Sequence, residues 1–369
     1  MSVNENLYWA WGKTNIESLL TPLKYLSIKM GNVKKFPMKG RNMKSHRYGK
    51  TLAGLFVVFA ILAVITPKVG MALEDYGQAN QPIGYNDVFY GVSFVDAQKG
   101  WACGYYGLMV HTEDGGKTWV RQNSGTRNAL FGLDFVDENN GWAVGDFGII
   151  LYTSDGGKTF TEQKSNFENQ LFAVSFADAQ NGWAVGMLST IVHTADGGKT
   201  WEKQGPEGDV AYNAVYFLNA TCGWIAGEFG TIMHTEDGGV TWQKQAVPLN
   251  EEYALWAIRF VDQNTGIAVG MDGAILITAD GGKAWQQCKA QEKDNFYGVA
   301  IKGNKAWACG LRGAYELTNQ GLCDWVLPPQ EPKLKYWLSS IDFADENNGW
   351  LVGAHGILWR TTDGGKTWQ

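Results

Sequence analysis

From residue 83 onward, short apolar runs with a period of two alternate with clusters of Gly, Asn and Asp. One stretch is representative. Leu130-Phe-Gly-Leu-Asp-Phe-Val136 alternates, and Gly141-Trp-Ala-Val-Gly145 follows a polar reversal. Gly148-Ile-Ile-Leu-Tyr-Thr153 comes next, and Lys158-Thr-Phe-Thr161 closes the unit. Four β-rich segments with turn formers at each reversal predict four antiparallel strands, with no helix among them.

The unit repeats. Thr-x-Asp-Gly-Gly-x-x-aromatic occurs at 112–119, 153–160, 194–201, 235–242, 278–285 and 361–368, with a decayed copy at 318–325. The closing aromatics, at 119, 160, 201, 242, 285, 325 and 368, are spaced by 41, 41, 41, 43, 40 and 43 residues. A period near 41 predicts an all-β fold: a single seven-bladed β-propeller over residues 83–369, its four-stranded antiparallel blades labelled A to D from the centre outward. The chain ends at Gln369, just as the last strand D begins. Residues Asn80–Asp87 are therefore expected to add an outer strand to blade seven, clasping the ring and protecting its edge.

Two columns of residues recur for structural reasons. Asp114, Asp155, Asp196, Asp237, Asp280 and Asp363 sit in the C–D turns, where a carboxylate accepts backbone N–H bonds and glycines take conformations a Cβ would obstruct. In the decayed copy Gln320 replaces the Asp, Leu322 the second Gly and Asp324 the Thr, while Trp325 persists. Trp101, Trp142, Trp183, Trp224, Trp307 and Trp350 open strand B, with Ile267 in blade five. These indoles are expected in the core, not as a sugar-stacking platform.

The N-terminus reads differently. Residues 51–65 are uncharged and mostly apolar, Lys44-Ser-His-Arg-Tyr-Gly-Lys50 precedes them, and Gly70-Met71-Ala72 gives small-x-small spacing. Residues 43–72 thus predict a secretory signal, with a mature start at Leu73 and an exported, periplasmic or otherwise extracytoplasmic propeller. Uncleaved, the same segment becomes the only membrane anchor. Residues 1–42 are either a mis-assigned start or a short cytoplasmic tail. Residues 73–369 hold 20 Lys and Arg against 35 Asp and Glu, about −15 net. Such a field disfavours nucleic acid and anionic head groups as partners.

Five cysteines, Cys103, Cys222, Cys288, Cys309 and Cys323, form neither a metal-ligand spacing nor a regular disulfide framework. Cys103 and Cys309 read as buried small hydrophobes, whereas Cys288 and Cys323, on the outer parts of adjacent blades, are placed to bridge. No metal or other cofactor is implied.

Function is expected opposite the uniform Asp-Gly-Gly face, where the B–C tips and D–A loops vary from blade to blade. The tips read Tyr105-Tyr106, Asp146-Phe147, Met187-Leu188, Glu228-Phe229, Met271-Asp272, Leu311-Arg312 and Ala354-His355. Turn tips favour small polar residues, and about half of these are aromatic or aliphatic. Tyr105, Tyr106, Asp146, Phe147, Met187, Leu188, Glu228, Phe229, Arg312 and His355 are accordingly the candidate partner-binding residues of a monomeric propeller; the competing reading folds some of them inward over the rim. The loop Leu327–Trp337 opens on the same side.

The repeated phrase is similar to the Asp-box of bacterial neuraminidases, and Asp-box propellers include glycoside hydrolases. A sialidase would need an arginine triad, a Tyr–Glu pair and an Arg-Ile-Pro stretch. Residues 73–369 contain only Arg121, Arg127, Arg259, Arg312 and Arg360, and no such stretch. Asp134 and Asp342 lie on A strands near the channel with Arg259 in blade five, and a mutual ion-pair arrangement explains them as well as an acid pair does. No catalytic residue is therefore assigned, and a glycoside hydrolase stands as the alternative function.

Val174–Trp201 and Leu133–Phe160 more closely resemble the repeat of the photosystem II stability/assembly factor family of seven-bladed propellers, and all seven blades follow its register. That resemblance implies a non-catalytic exported assembly factor that binds a protein partner or membrane complex. Photosynthetic members carry a Gly-x-Arg-Gln-Thr phrase at a B–C turn, part of an Arg-rich patch. Here Arg312 is the only arginine at any tip, and no lipobox cysteine precedes Cys103. The expectation is a non-photosynthetic relative with another client.

Overall fold

The computed structural model describes residues 82–290, 294–318, 324–326 and 337–369. The expectations placed on residues 1–72, on Cys323, on most of the decayed box and on most of the loop after Leu327 lie outside these residues.

The chain is a seven-bladed propeller. Its inner strands are Phe89–Phe94, Leu130–Phe135, Leu171–Phe176, Tyr212–Phe217, Leu255–Phe260, Phe296–Lys302 and Leu338–Phe343. Blades one to four each pair four antiparallel strands in sequence order. Blades five and six share one eight-stranded sheet, because Lys289 and Ala290 of the outer strand of five run parallel to Asp324 and Trp325 of six. Blade seven has three strands, and Gln369 begins a fourth by exchanging two backbone bonds with Arg360.

Strand B is buried at every residue in six blades, as its Gly-x-(Ala/Ile/Leu)-x-Gly composition requires, and in blade six, where Ala306 replaces the first Gly, at all but Lys305. Its glycines answer to close approach. A Cβ on Gly141 would lie 2.3 Å from the Phe135 ring.

One aromatic lock joins successive blades. The strand-B indole of each of six blades stacks on the Phe that ends strand A of the next, with ring centroids 3.4–3.8 Å apart. Its Nε1 then donates to the first Asp-box glycine carbonyl of that next blade, at 2.9–3.4 Å. The closing Trp of the box meets the same Phe edge-on in five blades. The core is thus a ring of inter-blade clusters, and the Trp column is packing.

Among the described residues the lock's stacked pair is missing at a single junction, five to six. Ile267 replaces the indole, Ile301 the Phe, and the box is the decayed copy. A cleft of about 670 Å³ opens there, lined in part by Ile267, Ile277, Ile301 and Lys305.

The Asp-box is a closed hydrogen-bond circuit. In blade two the Thr153 hydroxyl donates to Asp155 Oδ1 at 2.8 Å and accepts from Gly157 N at 2.8 Å. Asp155 also accepts from Thr159 N and Thr159 Oγ1, at 2.9 and 2.7 Å. The same bonds recur around Asp114, Asp196, Asp237 and Asp363, and Asp280 keeps all but the hydroxyl bond because Ala284 stands in the Thr position.

The clasp is a correction. Residues 82–88 form no strand, and those from 82 to 87 add no ladder to blade seven; Asn80 and Gln81 lie outside the described residues. The segment instead takes the place of a D–A connection beside blade seven. Gly356 N donates to Asp87 O at 2.8 Å, as Gly273 N does to Asp294 O and Gly230 N to Tyr253 O elsewhere on the ring. Asp87 is buried against Arg121 of blade one, Nη2 to Oδ2 at 2.5 Å, and Arg121 also reaches Pro82 O at 3.3 Å. Closure rests on a loop and an ion pair because an outer strand is not needed once strand A of blade one already packs on blade seven.

Cys103, Cys222 and Cys309 are free and buried, and Cys288 is disulfide-bonded. Burial drives the Cys103 and Cys309 thiols far above the ordinary range, which leaves them inert.

Candidate functional site: the B–C and D–A rim

Six of the seven B–C tips are tight turns whose second residue is forced into the left-handed region, blade six with Arg312 being the exception. Tyr106, Phe147, Leu188, Phe229, Asp272 and His355 all have φ between 54° and 60°. For bulky L residues that conformation costs energy that Gly or Asn avoids.

The tips do not share one fate. Phe147 is 72% exposed, Leu188 52% and Leu311 43%. Tyr106, Met187 and Phe229 are half-buried. Tyr106 lies 6.1 Å from the Tyr105 ring, with Arg127 over its face at 5.9 Å. His355 is half-buried under Tyr85, the rings stacked at 4.2 Å. Asp146 accepts from Gln170 Nε2 at 2.6 Å, and Glu228 accepts from Ala211 N at 3.3 Å. Burial, opposed by that amide, raises the Glu228 carboxyl. The Arg312 side chain is exposed, while its backbone N donates to Asp294 Oδ2 at 2.9 Å. Asp294, which the sequence reading passed over, is buried and organises this tip, also taking Leu311 N at 3.1 Å and the Tyr315 hydroxyl at 2.8 Å.

A second feature was not read from the sequence. The second residue of strand A is aromatic in five blades: Tyr90, Phe131, Phe172, Trp256 and Tyr297. Together with Trp337 they form a chain of ring contacts at the rim end of the inner strands. Phe172 meets Phe131 at 5.7 Å, Phe131 meets Tyr90 at 5.4 Å, and Tyr90 meets Trp337 at 5.9 Å. Trp337 then meets Tyr297 at 5.6 Å, and Tyr297 stacks on Trp256 at 4.5 Å. All six are half-buried. In blade four Asn213 takes the place and donates to Leu255 O at 3.0 Å. The result is an aromatic collar around the channel mouth. Because each position belongs to an ordinary strand pattern, only its recurrence across blades could have marked it.

Deeper in the channel, Asp134 Oδ2 accepts Phe176 N at 2.6 Å and Asp342 Oδ2 accepts Phe94 N at 2.7 Å. Ser93 and Ser175 do the same for Phe135 N and Phe217 N, at 3.3 and 3.1 Å. These side chains cap the inner edge of the next blade. The ion-pair expectation is corrected: among the described residues neither Asp bridges Arg259, whose guanidinium lies over Tyr216 at 5.6 Å. An amide already bound to each carboxylate explains their placement without a counter-ion. Burial, against the Phe176 amide and the charge of Arg259, pushes the Asp134 carboxyl up to about 6 and raises Asp342 in the same sense. Among the described residues no group of three or more His, Cys, Asp or Glu is placed to hold a metal.

The model of the photosynthesis system II assembly factor YCF48 family matches residues 75–164, 160–252 and 244–334, three overlapping stretches that span most of the ring. The chain belongs to this family. Solved YCF48 structures are similar in fold. "YCF48 bound to D1 peptide" aligns at TM-score 0.63 and 20% identity, covering 77% of this chain and 96% of that one. YCF48 from Cyanidioschyzon merolae aligns at TM-score 0.53 and 22% identity, over 66% and 84% of the two chains. The GH74 xyloglucanase from Xanthomonas campestris aligns at TM-score 0.63 but 14% identity, over 78% of this chain and 55% of that enzyme. At such identities the likeness carries the fold alone. Among curated proteins, none matches the chain in sequence.

Proposed function

We propose that the chain is a non-catalytic, exported scaffold that holds a protein client, or a membrane complex under assembly, on its B–C and D–A rim. The observation that carries this reading is the strained and exposed state of the tips. Phe147 and Leu188 are held at φ 57° and 55° and face solvent, a double cost that packing does not explain. Membership of an assembly-factor family supports the scaffold role, and a relative solved with a peptide bound supports a protein partner. The disulfide at Cys288 suits an oxidising compartment outside the cytoplasm. The absence of an Arg-rich tip phrase favours a client other than a photosystem.

The fold likeness to a xyloglucanase keeps a glycoside hydrolase as the rival reading. Against it, Asp134 and Asp342 already serve as caps on neighbouring strands. The test is site-specific photo-crosslinking in the native envelope. A photoreactive residue at Phe147 should yield a discrete protein adduct, and one at Lys199 on the Asp-box face should not. Adducts from Lys199 alone would move the site, and glycoside turnover abolished by Asp134→Asn would replace the scaffold with an enzyme.

A further inference from the structure

The collar and the charge around it point to the chemistry of what is bound. Six rings present faces and edges around the channel mouth, and ring faces attract cations. Acidic residues crowd the tips and loops of blades two to five: Asp146, Glu168, Asp209, Glu228, Glu251 and Asp272. Of these, Glu168, Asp209, Glu251 and Asp272 are exposed. Among the described residues the cations on the same rim are few and dispersed. Lys164 stands among them in blade two, and Arg127, on the D–A loop of blade one, is engaged with Tyr106. Arg312 lies on blade six, beyond the crescent. Arg259, exposed, lies over Tyr216 near the other end of its inner strand, Leu255–Phe260.

An acidic crescent alone would signify solubility. Joined to a collar of half-buried rings, it makes a surface complementary to a positively charged side chain on an apolar stem. Lysine and arginine have that form: their methylenes pack on ring faces while the charge sits over the π system. A free anion or nucleic acid would be repelled.

We propose that the aromatic collar, with the acidic crescent of blades two to five, is the docking site for an extended Lys- or Arg-bearing segment of the client protein. This rests on the scaffold reading above and names the chemistry of its partner. The channel mouth takes one basic side chain over the run Phe172–Phe131–Tyr90 or the stacked pair Trp256–Tyr297, and the crescent steers the approach and engages flanking charges.

The experiment uses the whole exported propeller and three labelled synthetic peptides of one length. One alternates Lys with Ala and Tyr; in the others Gln or Glu replaces Lys. Fluorescence anisotropy should show the Lys peptide binding at least tenfold more tightly than the Gln peptide and the Glu peptide not binding, with affinity falling as salt rises. Phe131→Leu/Phe172→Leu keeps the apolar volume but removes the ring faces, and should weaken the Lys peptide about fivefold, in line with a cation–π contribution near 1 kcal/mol. Glu251→Gln/Asp272→Asn, at exposed positions, should lower affinity and flatten the salt dependence without touching the core. Equal binding of the Lys and Gln peptides overturns the proposal, as does tighter binding of the Glu peptide or quenching of collar fluorescence by an oligosaccharide instead. A collar variant with unchanged affinity, while the charge variant loses it, also overturns it, since binding would then be diffuse electrostatics. Client crosslinks from Phe147 that persist unchanged in the collar variant sink this inference alone. No crosslink from Phe147 in the unmodified protein removes the scaffold reading instead.

Discussion

Trp350 Nε1 donates to the carbonyl of Gly115 at 2.9 Å, and through that bond the last blade grips the first. The two residues are 235 positions apart, yet the contact repeats the one that joins Trp101 to Gly156 within adjacent repeats. Closure of the ring is thus chemically the same as five of the other six junctions. Trp350→Phe keeps the stack on Phe94 and loses the bond, leaving a buried carbonyl with one partner fewer. It should cost about 1–2 kcal/mol in urea unfolding. Trp142→Ala, which removes a whole buried indole, should cost about 3–5 kcal/mol. Equal costs would mean that the hydrogen bond, not the packing, dominates the lock.

The other half of closure is the Asp87–Arg121 pair, whose side chains are only 3% and 5% exposed. Removing one partner strands a buried charge, so Asp87→Asn or Arg121→Met should each destabilise by about 3–5 kcal/mol. Changing both to apolar residues of similar volume should recover most of the loss. If the double change is as costly as the sum of the singles, the two side chains are uncoupled and the ion pair is not what secures closure.

The ring was legible in the sequence because its physical cause is local. Thr153, Asp155, Gly157 and Thr159 meet within one turn, so the motif states its own geometry. The lock was half legible: the Trp column read as core, but its bond to a glycine 55 or 57 positions on joins two repeats, and no single repeat displays it. The joint absence of an indole at 267 and a Phe at 301 follows from their stacking, because an indole without its stacking partner gains little. The clasp was misjudged because an unfinished blade suggests a missing strand, whereas Asp87 solves closure with a side chain. Tips such as Phe147 were visible as oddities of turn composition. The collar was not, since Tyr90 or Phe131 alone is an unremarkable strand residue.

Acid stability should reflect two opposed groups of carboxylates. The Thr118 hydroxyl and amide pull Asp114 down to about 2, and the equivalent bonds of Thr200 bring Asp196 to about 2. With folded values below the unfolded 3.8, their contribution is present above about pH 4 and is lost as pH falls towards 2. Asp134 works the other way. Its folded value near 6 favours the fold below about pH 4, and that advantage is lost as pH rises through 6. Asp134→Asn keeps an acceptor for Phe176 N and should raise the urea midpoint at pH 8 but leave it unchanged at pH 4. A midpoint that drops at both values would show that the carboxylate itself, charged, is needed at that strand edge.

Thiol accounting tests the compartment. Protein from the native host, unfolded without reductant, should take alkylating label at Cys103, Cys222 and Cys309, and at all five cysteines after reduction. Label on all five before reduction would count against an exported, oxidised propeller, as would an N-terminus upstream of residue 50 in the membrane fraction for a cleaved one.

The last expectation sets stability against binding at one residue. Phe147 is held at φ 57° with 72% of its surface exposed, so it contributes little to folding and carries a conformational cost. Asn accepts that region readily, and Phe147→Asn should therefore stabilise the propeller by about 0.5–1 kcal/mol. If the rim is where the client docks, the same change should weaken its capture, and Tyr106→Ser/Phe147→Ser/Phe229→Ser should weaken it about tenfold or more, near 1.4 kcal/mol. The two effects pull in opposite directions, which a purely structural residue cannot reproduce. Thermal unfolding and quantitative crosslinking of the same preparations separate them. A Phe147→Asn protein that is less stable would make Phe147 a packing residue. One that is more stable and captures the client as before would move the site off this rim.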